Sequence, residues 1–207
     1  MQDVASARTI RVLGIDPAAA GPTGYGVVEA EGRKCRALHF GALRVAGKRR
    51  ESAGAALEAV HKLICDLIRK FSPHAVAVES IFSALNVKTA LRLAEVRGVV
   101  LLAASQHQVE LFSYAPREIK ASVAGCGNAD KRQMQIMVRA LLAMPEIPEP
   151  PDAADALAVA LCHLQADESR RRFGPAPVIH AGKPVSLGLA RAAAATRSAA
   201  SRIPSLR

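Results

Sequence analysis

The hydrophobic pattern of the chain changes period repeatedly. Thr9 to Ile15 is apolar and β-branched, and predicts a buried strand. Asp16-Pro17 ends it, because proline cannot donate to a strand ladder. Tyr25 to Glu29 predicts a second strand and residues 34–44 a third. Short turns join the three, as in an antiparallel meander. From Arg50 to Phe71 the apolar residues (Leu57, Val60, Leu63, Ile64, Leu67, Ile68) fall at helical spacing. His74 to Glu79 is an almost unbroken apolar run, which predicts a fourth strand covered on both faces. Its helical crossover favours parallel pairing. Asn86 to Ser105 predicts a long helix, apolar around much of its girth, with a second face free for a dimer partner. Val109 to Ser113 predicts a fifth strand. Helices follow over 114–124, started by Pro116, over 131–144, and from Pro151 onward.

This pattern predicts an α/β fold. Its sheet has five strands, three antiparallel and then parallel ones, flanked by helices. Carboxylates stand where that fold would gather them. Asp16 ends the first strand and Glu79 the fourth, while Asp152 and Asp155 share one side of the last helix's first turn. Taken singly, these are also the marks of an Asp-Pro turn and of a helix start complemented by acidic residues. Taken together, they suit a hard divalent cation, which is held by carboxylates and water. Residues 18–26 are Gly-rich but lack the Lys-Ser/Thr ending of a phosphate-binding P-loop.

Charge sharpens the picture. The formal net charge is +10 and the pI about 10.0, which points to a polyanionic partner, most often nucleic acid. From Arg170 to Arg207 there is no Asp or Glu. Residues 1–168 therefore read as one domain, and 169–207 as a basic, disordered tail that adds affinity for phosphates. Cys35, Cys65, Cys126 and Cys162 form no CxxC pair and read as reduced thiols of a cytoplasmic protein. No signal peptide is evident, and the longest apolar run is too short to span a bilayer, so no membrane is expected.

The order and spacing of several motifs resemble the RuvC family of Holliday-junction resolvases, crossover junction endodeoxyribonucleases. They are Leu13-Gly-Ile-Asp-Pro17 with Thr23-Gly-Tyr-Gly26, Val78-Glu-Ser-Ile-Phe82, Ala90-Leu-Arg-Leu with Arg97-Gly98, Val123 to Lys131, and Asp152-Ala-Ala-Asp-Ala-Leu-Ala158. The likeness runs from about Ile10 to His163.

The resemblance implies an RNase H-like fold and paired symmetric nicking of four-way DNA junctions in recombination and repair. It implies that Asp16, Glu79, Asp152 and Asp155 bind two Mg²⁺ per active site, with Mn²⁺ as a substitute. It implies DNA contacts from Phe82, Lys88, Lys120, Lys131 and Arg132, a homodimer, and cooperation with a RuvA–RuvB branch-migration complex. The family usually has Gly directly after Asp-Pro; here it is Ala18, and the loop to Pro22 is one residue longer. A catalytically silent junction-binding protein is the alternative that these departures keep open.

Overall fold

The computed structural model of the chain describes residues 8–17, 21–44, 53–80 and 86–174. In chain order the elements are β1 (Thr9–Asp16), β2 (Thr23–Glu31), β3 (Lys34–Leu43), α1 (Ala53–Phe71), β4 (Ala75–Glu79), α2 (Val87–Gln106), β5 (Glu110–Tyr114), α3 (Pro116–Ala124), α4 (Lys131–Leu141) and α5 (Pro151–Phe173). They build one sheet in the order β3-β2-β1-β4-β5. β1, β2 and β3 pair antiparallel, β4 runs parallel to β1, and β5 runs parallel to β4. This is the mixed sheet that the hydrophobic pattern predicts.

Successive strand residues face opposite sides of a sheet. Leu13, Ile15, Val27, Val76 and Val78 pack with α1 and α2 on one side. Val12, Val28 and Ala77 pack with α3, α4 and α5 on the other. α5 is the best buried helix, with every residue from Ala156 to Leu164 buried.

Three glycines let α5 approach the sheet. A Cβ at Gly14 would lie 2.1 Å from the Ala156 carbonyl oxygen, and one at Gly24 would lie 2.0 Å from that of Asp152. A Cβ at Gly26 would strike the Leu157 side chain at 2.7 Å. Real side chains do not approach so closely, so only glycine serves at these positions while the helix stays where it is.

Several boundaries differ from the sequence reading. Asn86 precedes α2 and caps it, its Oδ1 accepting from the Thr89 N–H at 2.9 Å. Tyr114 ends β5 instead of starting α3. α4 stops at Leu141, before Met144. The largest change is in α5, which continues to Phe173, so Arg170, Arg171 and Arg172 are helical. They are held there by Asp167, which pairs with Arg170 and Arg171, and by Glu168, which pairs with Arg172. Residues 175–207, and with them most of the expected tail, lie outside the described residues. Among the thiols, Cys65 and Cys162 are buried, Cys35 is half-buried and Cys126 is exposed. Among the described residues no helix is long and apolar enough to cross a membrane.

Candidate functional site

The apolar runs of β1 and β4 thread the core and stop together at the same edge of the sheet. Ile15 pairs with Val78 in the parallel ladder, so Asp16 and Glu79 are the next residues of adjacent strands. Glu79 in turn pairs with Tyr114 of β5. Both carboxylates are half-buried, since the strands that carry them end where the core ends.

The first turn of α5 brings the other two acids. Asp155 joins Asp16, Glu79 and Lys120 in lining a cleft of about 100 Å³, with Ile119, Met134 and Ala158 as apolar neighbours. Asp152 does not line the cleft. It sits over Gly24, whose cross-strand partner is Asp16, and its charge is felt there. A roomier cavity of about 480 Å³ opens toward the C-terminal end of α5, between Arg8, Arg33, Asp167 and Arg172. It contains none of the four acids, whereas the small cleft is lined by three of them.

The cleft is short of positive charge. Burial, and then the negative charges of Glu79, Asp155 and Asp152, push the Asp16 carboxyl up to about 8, while Lys131 opposes them. Burial and Asp155 also raise Glu79 above the usual carboxylate range, opposed by Lys120. Among the described residues, no three His, Cys, Asp or Glu side chains stand in an arrangement that would hold one metal ion. Asp155 is engaged elsewhere: its Oδ2 lies 3.3 Å from Lys131 Nζ. The donor set is nonetheless one that fits a hard cation. It is all carboxylate oxygen, and the raised values of Asp16 and Glu79 record negative charge that Lys120 and Lys131 offset only in part.

The remaining residues singled out from the sequence are scattered around this edge. Lys120 on α3 is in the cleft. Lys131 opens α4 and reaches Asp155; Arg132 beside it is exposed. Lys88, in the first turn of α2, is exposed. Phe82 and residues 18–20 of the lengthened loop, Ala18 among them, lie outside the described residues.

Two features escaped the sequence reading. Gly14, Gly24 and Gly26 work as contact points for α5 and not as a phosphate cradle. A glycine inside the apolar run of β1 was the available signal. The second is His163, buried on α5 with Nδ1 2.8 Å from Tyr114 Oη and its ring 4.5 Å from that of Phe112. Burial lowers its pKa to about 4, so it is neutral and ties α5 to β5 directly beside Glu79.

Comparison with known proteins adds an independent line. A sequence profile described as crossover junction endodeoxyribonuclease RuvC matches residues 12–163. The crossover junction endodeoxyribonuclease RuvC of Natranaerobius thermophilus is 45% identical over 162 residues, covering 78% of this chain and 99% of that protein. The RuvC structure of Thermus thermophilus superposes with a TM-score of 0.71 at 34% identity, covering 77% of this chain and 96% of that one. RuvC from the same organism in complex with a Holliday junction substrate also gives 0.71 at 34% identity, covering 76% of this chain and 94% of that one.

Proposed function

This chain belongs to the RuvC family of crossover junction endodeoxyribonucleases, with its RNase H-like fold, and on that premise we propose that it resolves four-way DNA junctions. It nicks two strands symmetrically during recombination and repair and leaves 5′-phosphate and 3′-hydroxyl ends. The observation that carries this reading is the gathering of Asp16, Glu79 and Asp155 in one cleft beside Lys120, with Asp152 adjacent.

Asp16, Glu79, Asp152 and Asp155 would hold the divalent cations, Mg²⁺ at two per site with Mn²⁺ as a substitute. Bound there, such ions make water a better nucleophile and offset charge on the leaving oxygen. Asp16, central to the set and the most perturbed, would be shared between the two ions; Glu79 would serve on the nucleophile side, and the two α5 acids would complete the ligand set. Lys120, Lys131, Arg132 and Lys88 draw in backbone phosphates, and Phe82 stacks on junction bases. Residues 1–168 form the nuclease domain, and 169–207 supply further non-specific phosphate affinity. The enzyme works in the cytoplasm, alongside a RuvA–RuvB branch-migration complex.

The substrate's two-fold symmetry calls for a homodimer. α2 supplies the surface: Leu91, Leu101 and Leu102 are exposed, while Val96 and Val100 hold the helix to the core. Val99, on the same helix, is partly buried against the core. Leu101→Glu should yield monomers by sedimentation, and an intact dimer would move the interface elsewhere.

The deciding experiment is cleavage of a synthetic mobile junction in Mg²⁺ by the wild type and by Asp16→Asn. Paired, ligatable nicks that vanish in the variant while binding survives support the resolvase. Tight binding without cleavage in either Mg²⁺ or Mn²⁺ would make the chain a silent junction binder. Neither binding nor cutting would sink the substrate assignment.

A further inference from the structure

Two lysines serve the acidic cleft, and they are held differently. Lys120 lines it and makes no ion pair among the described residues. Lys131 pairs with Asp155 at 3.3 Å, although its side chain is 60% exposed against 32% for the aspartate. The backbone beneath Lys131 is fixed. Asp130 caps α4, its Oδ1 accepting from the Gln133 N–H at 2.8 Å, while its own N–H donates to Gln133 Oε1 at 2.9 Å. Only the lysine stem is left free to re-aim, and an exposed ammonium on four methylenes does so readily.

We propose that Lys131 is an exchangeable counter-ion: in the free enzyme its ammonium occupies Asp155, and a backbone phosphate of the substrate draws it away and releases that carboxylate to a divalent cation. The proposal rests on the reading of the four acids as a cation site. It accounts for a cleft that collects three carboxylates while no three of the described acids, histidines or cysteines are arranged to hold one ion. One of the three is committed to a cation that the chain itself provides. A phosphate offers Lys131 a second anion, and a divalent ion offers Asp155 a second cation. Each exchange lowers the cost of the other, so phosphate binding and cation binding assist each other reciprocally.

The test uses the full chain and Ca²⁺, a hard cation that seeks oxygen ligands. Ca²⁺ affinity of the free protein is measured by calorimetry, and junction affinity with and without Ca²⁺ by fluorescence anisotropy. In the wild type, Ca²⁺ should tighten junction binding roughly tenfold, within the ordinary range of such couplings. Lys131→Met should bind Ca²⁺ several-fold more tightly without DNA, because the competitor is gone, and Ca²⁺ should then tighten its junction binding only about threefold or less. Lys131→Arg, which keeps the charge, should restore most of the coupling. The exchange is refuted if Lys131→Met leaves Ca²⁺ affinity unchanged, or raises it while the full tenfold coupling persists. Asp16→Asn separates the two levels. If it binds Ca²⁺ as the wild type does, or if neither binds, the cation site itself is wrong and the exchange falls with it. If Asp16→Asn alone loses Ca²⁺ while Lys131→Met matches the wild type, only the exchange is wrong.

Discussion

Glu29 and Asp16 are carboxylates of neighbouring strands, and the fold treats their charges in opposite ways. Glu29 is buried, yet it accepts from Arg11 Nε at 2.7 Å and from Arg36 Nε at 2.9 Å. Those hydrogen bonds hold its carboxyl below the usual carboxylate range. Among the described residues Asp16 has no such partner, and burial with three neighbouring acids drives it up to about 8. The chain plainly has the means to neutralise an acid sunk between β1 and β2. Where it leaves four acids together with one lysine contact, the proposed reading supplies the missing positive charge from outside. On that reading, the difference separates an acid that holds the fold from acids that would hold a cation.

The sharpest way to break the comparison is by activity. Asp16→Asn should cut junction cleavage by at least about 10³-fold, roughly 4 kcal/mol, if the cation supplies the main stabilisation of the transition state. Glu29→Gln should cleave within about twofold of the wild type per folded molecule, since Glu29 lies outside the cleft and is engaged by Arg11 and Arg36. Equal losses in single-turnover assays would erase the distinction.

Stability comes next. With Mg²⁺ at a hundredfold its Kd, the wild type should gain about 2.7 kcal/mol against urea and Asp16→Asn almost none. Glu29→Gln should lose about 1–2 kcal/mol with or without Mg²⁺, discounted because both arginines reach solvent and can hydrate. Urea midpoints in Mg²⁺ and in EDTA test both figures.

The pH dependences should have opposite signs. The raised carboxyl of Asp16 means that the native state keeps a proton the unfolded chain has lost. Its contribution is therefore destabilising as pH rises from the ordinary carboxylate value toward about 8. Metal-free Asp16→Asn should lack that fall and gain on the wild type across this window. Glu29 is lowered, so its contribution is present above its ordinary value and lost as pH falls below it. His163 adds to the loss on the acid side: its value of about 4 lies below the ordinary 6.5, so the unfolded chain protonates first as pH drops through that interval. A gap between the Asp16→Asn and wild-type denaturation midpoints that stays constant with pH in EDTA would contradict the Asp16 assignment.

The smallest effect concerns salt. Lys120→Ala should reduce the slope of log affinity against log salt by about one, whereas Arg36→Ala, whose guanidinium is spent on Glu29, should leave it unchanged. Junction titrations at several salt concentrations read it directly.

Much of this arrangement is legible in the sequence because the apolar runs of β1 and β4 end abruptly at Asp16 and Glu79. A buried strand leaves its last residue at the sheet edge, so two such ends on adjacent strands must meet. The first turn of α5 is marked just as clearly by Pro151 and the Asp152/Asp155 spacing. What stays hidden depends on pairing. The Glu29–Arg11 contact needs the hairpin register, in which the two residues are direct partners. The Lys131–Asp155 contact needs the packing of α4 against α5, which no local pattern encodes. The end of α5 is hidden for another reason. Asp167 and Glu168 precede Arg171 and Arg172 by four residues, a spacing that supports helix, but the acid-free run from Arg170 onward has the composition of a disordered tail.

The glycines under α5 make residues without functional groups into points of very tight tolerance. A single methyl at Gly24 demands the space of the Asp152 carbonyl, 2.0 Å away, and the nearest way out is to lift the turn that carries Asp152 and Asp155. An alanine scan would therefore register Gly24 as if it were a ligand. A redesign that kept all four acids but relaxed the backbone beneath them would lose the alignment while every recognised motif still read correctly. At this edge of the sheet, precision resides in atoms that are absent.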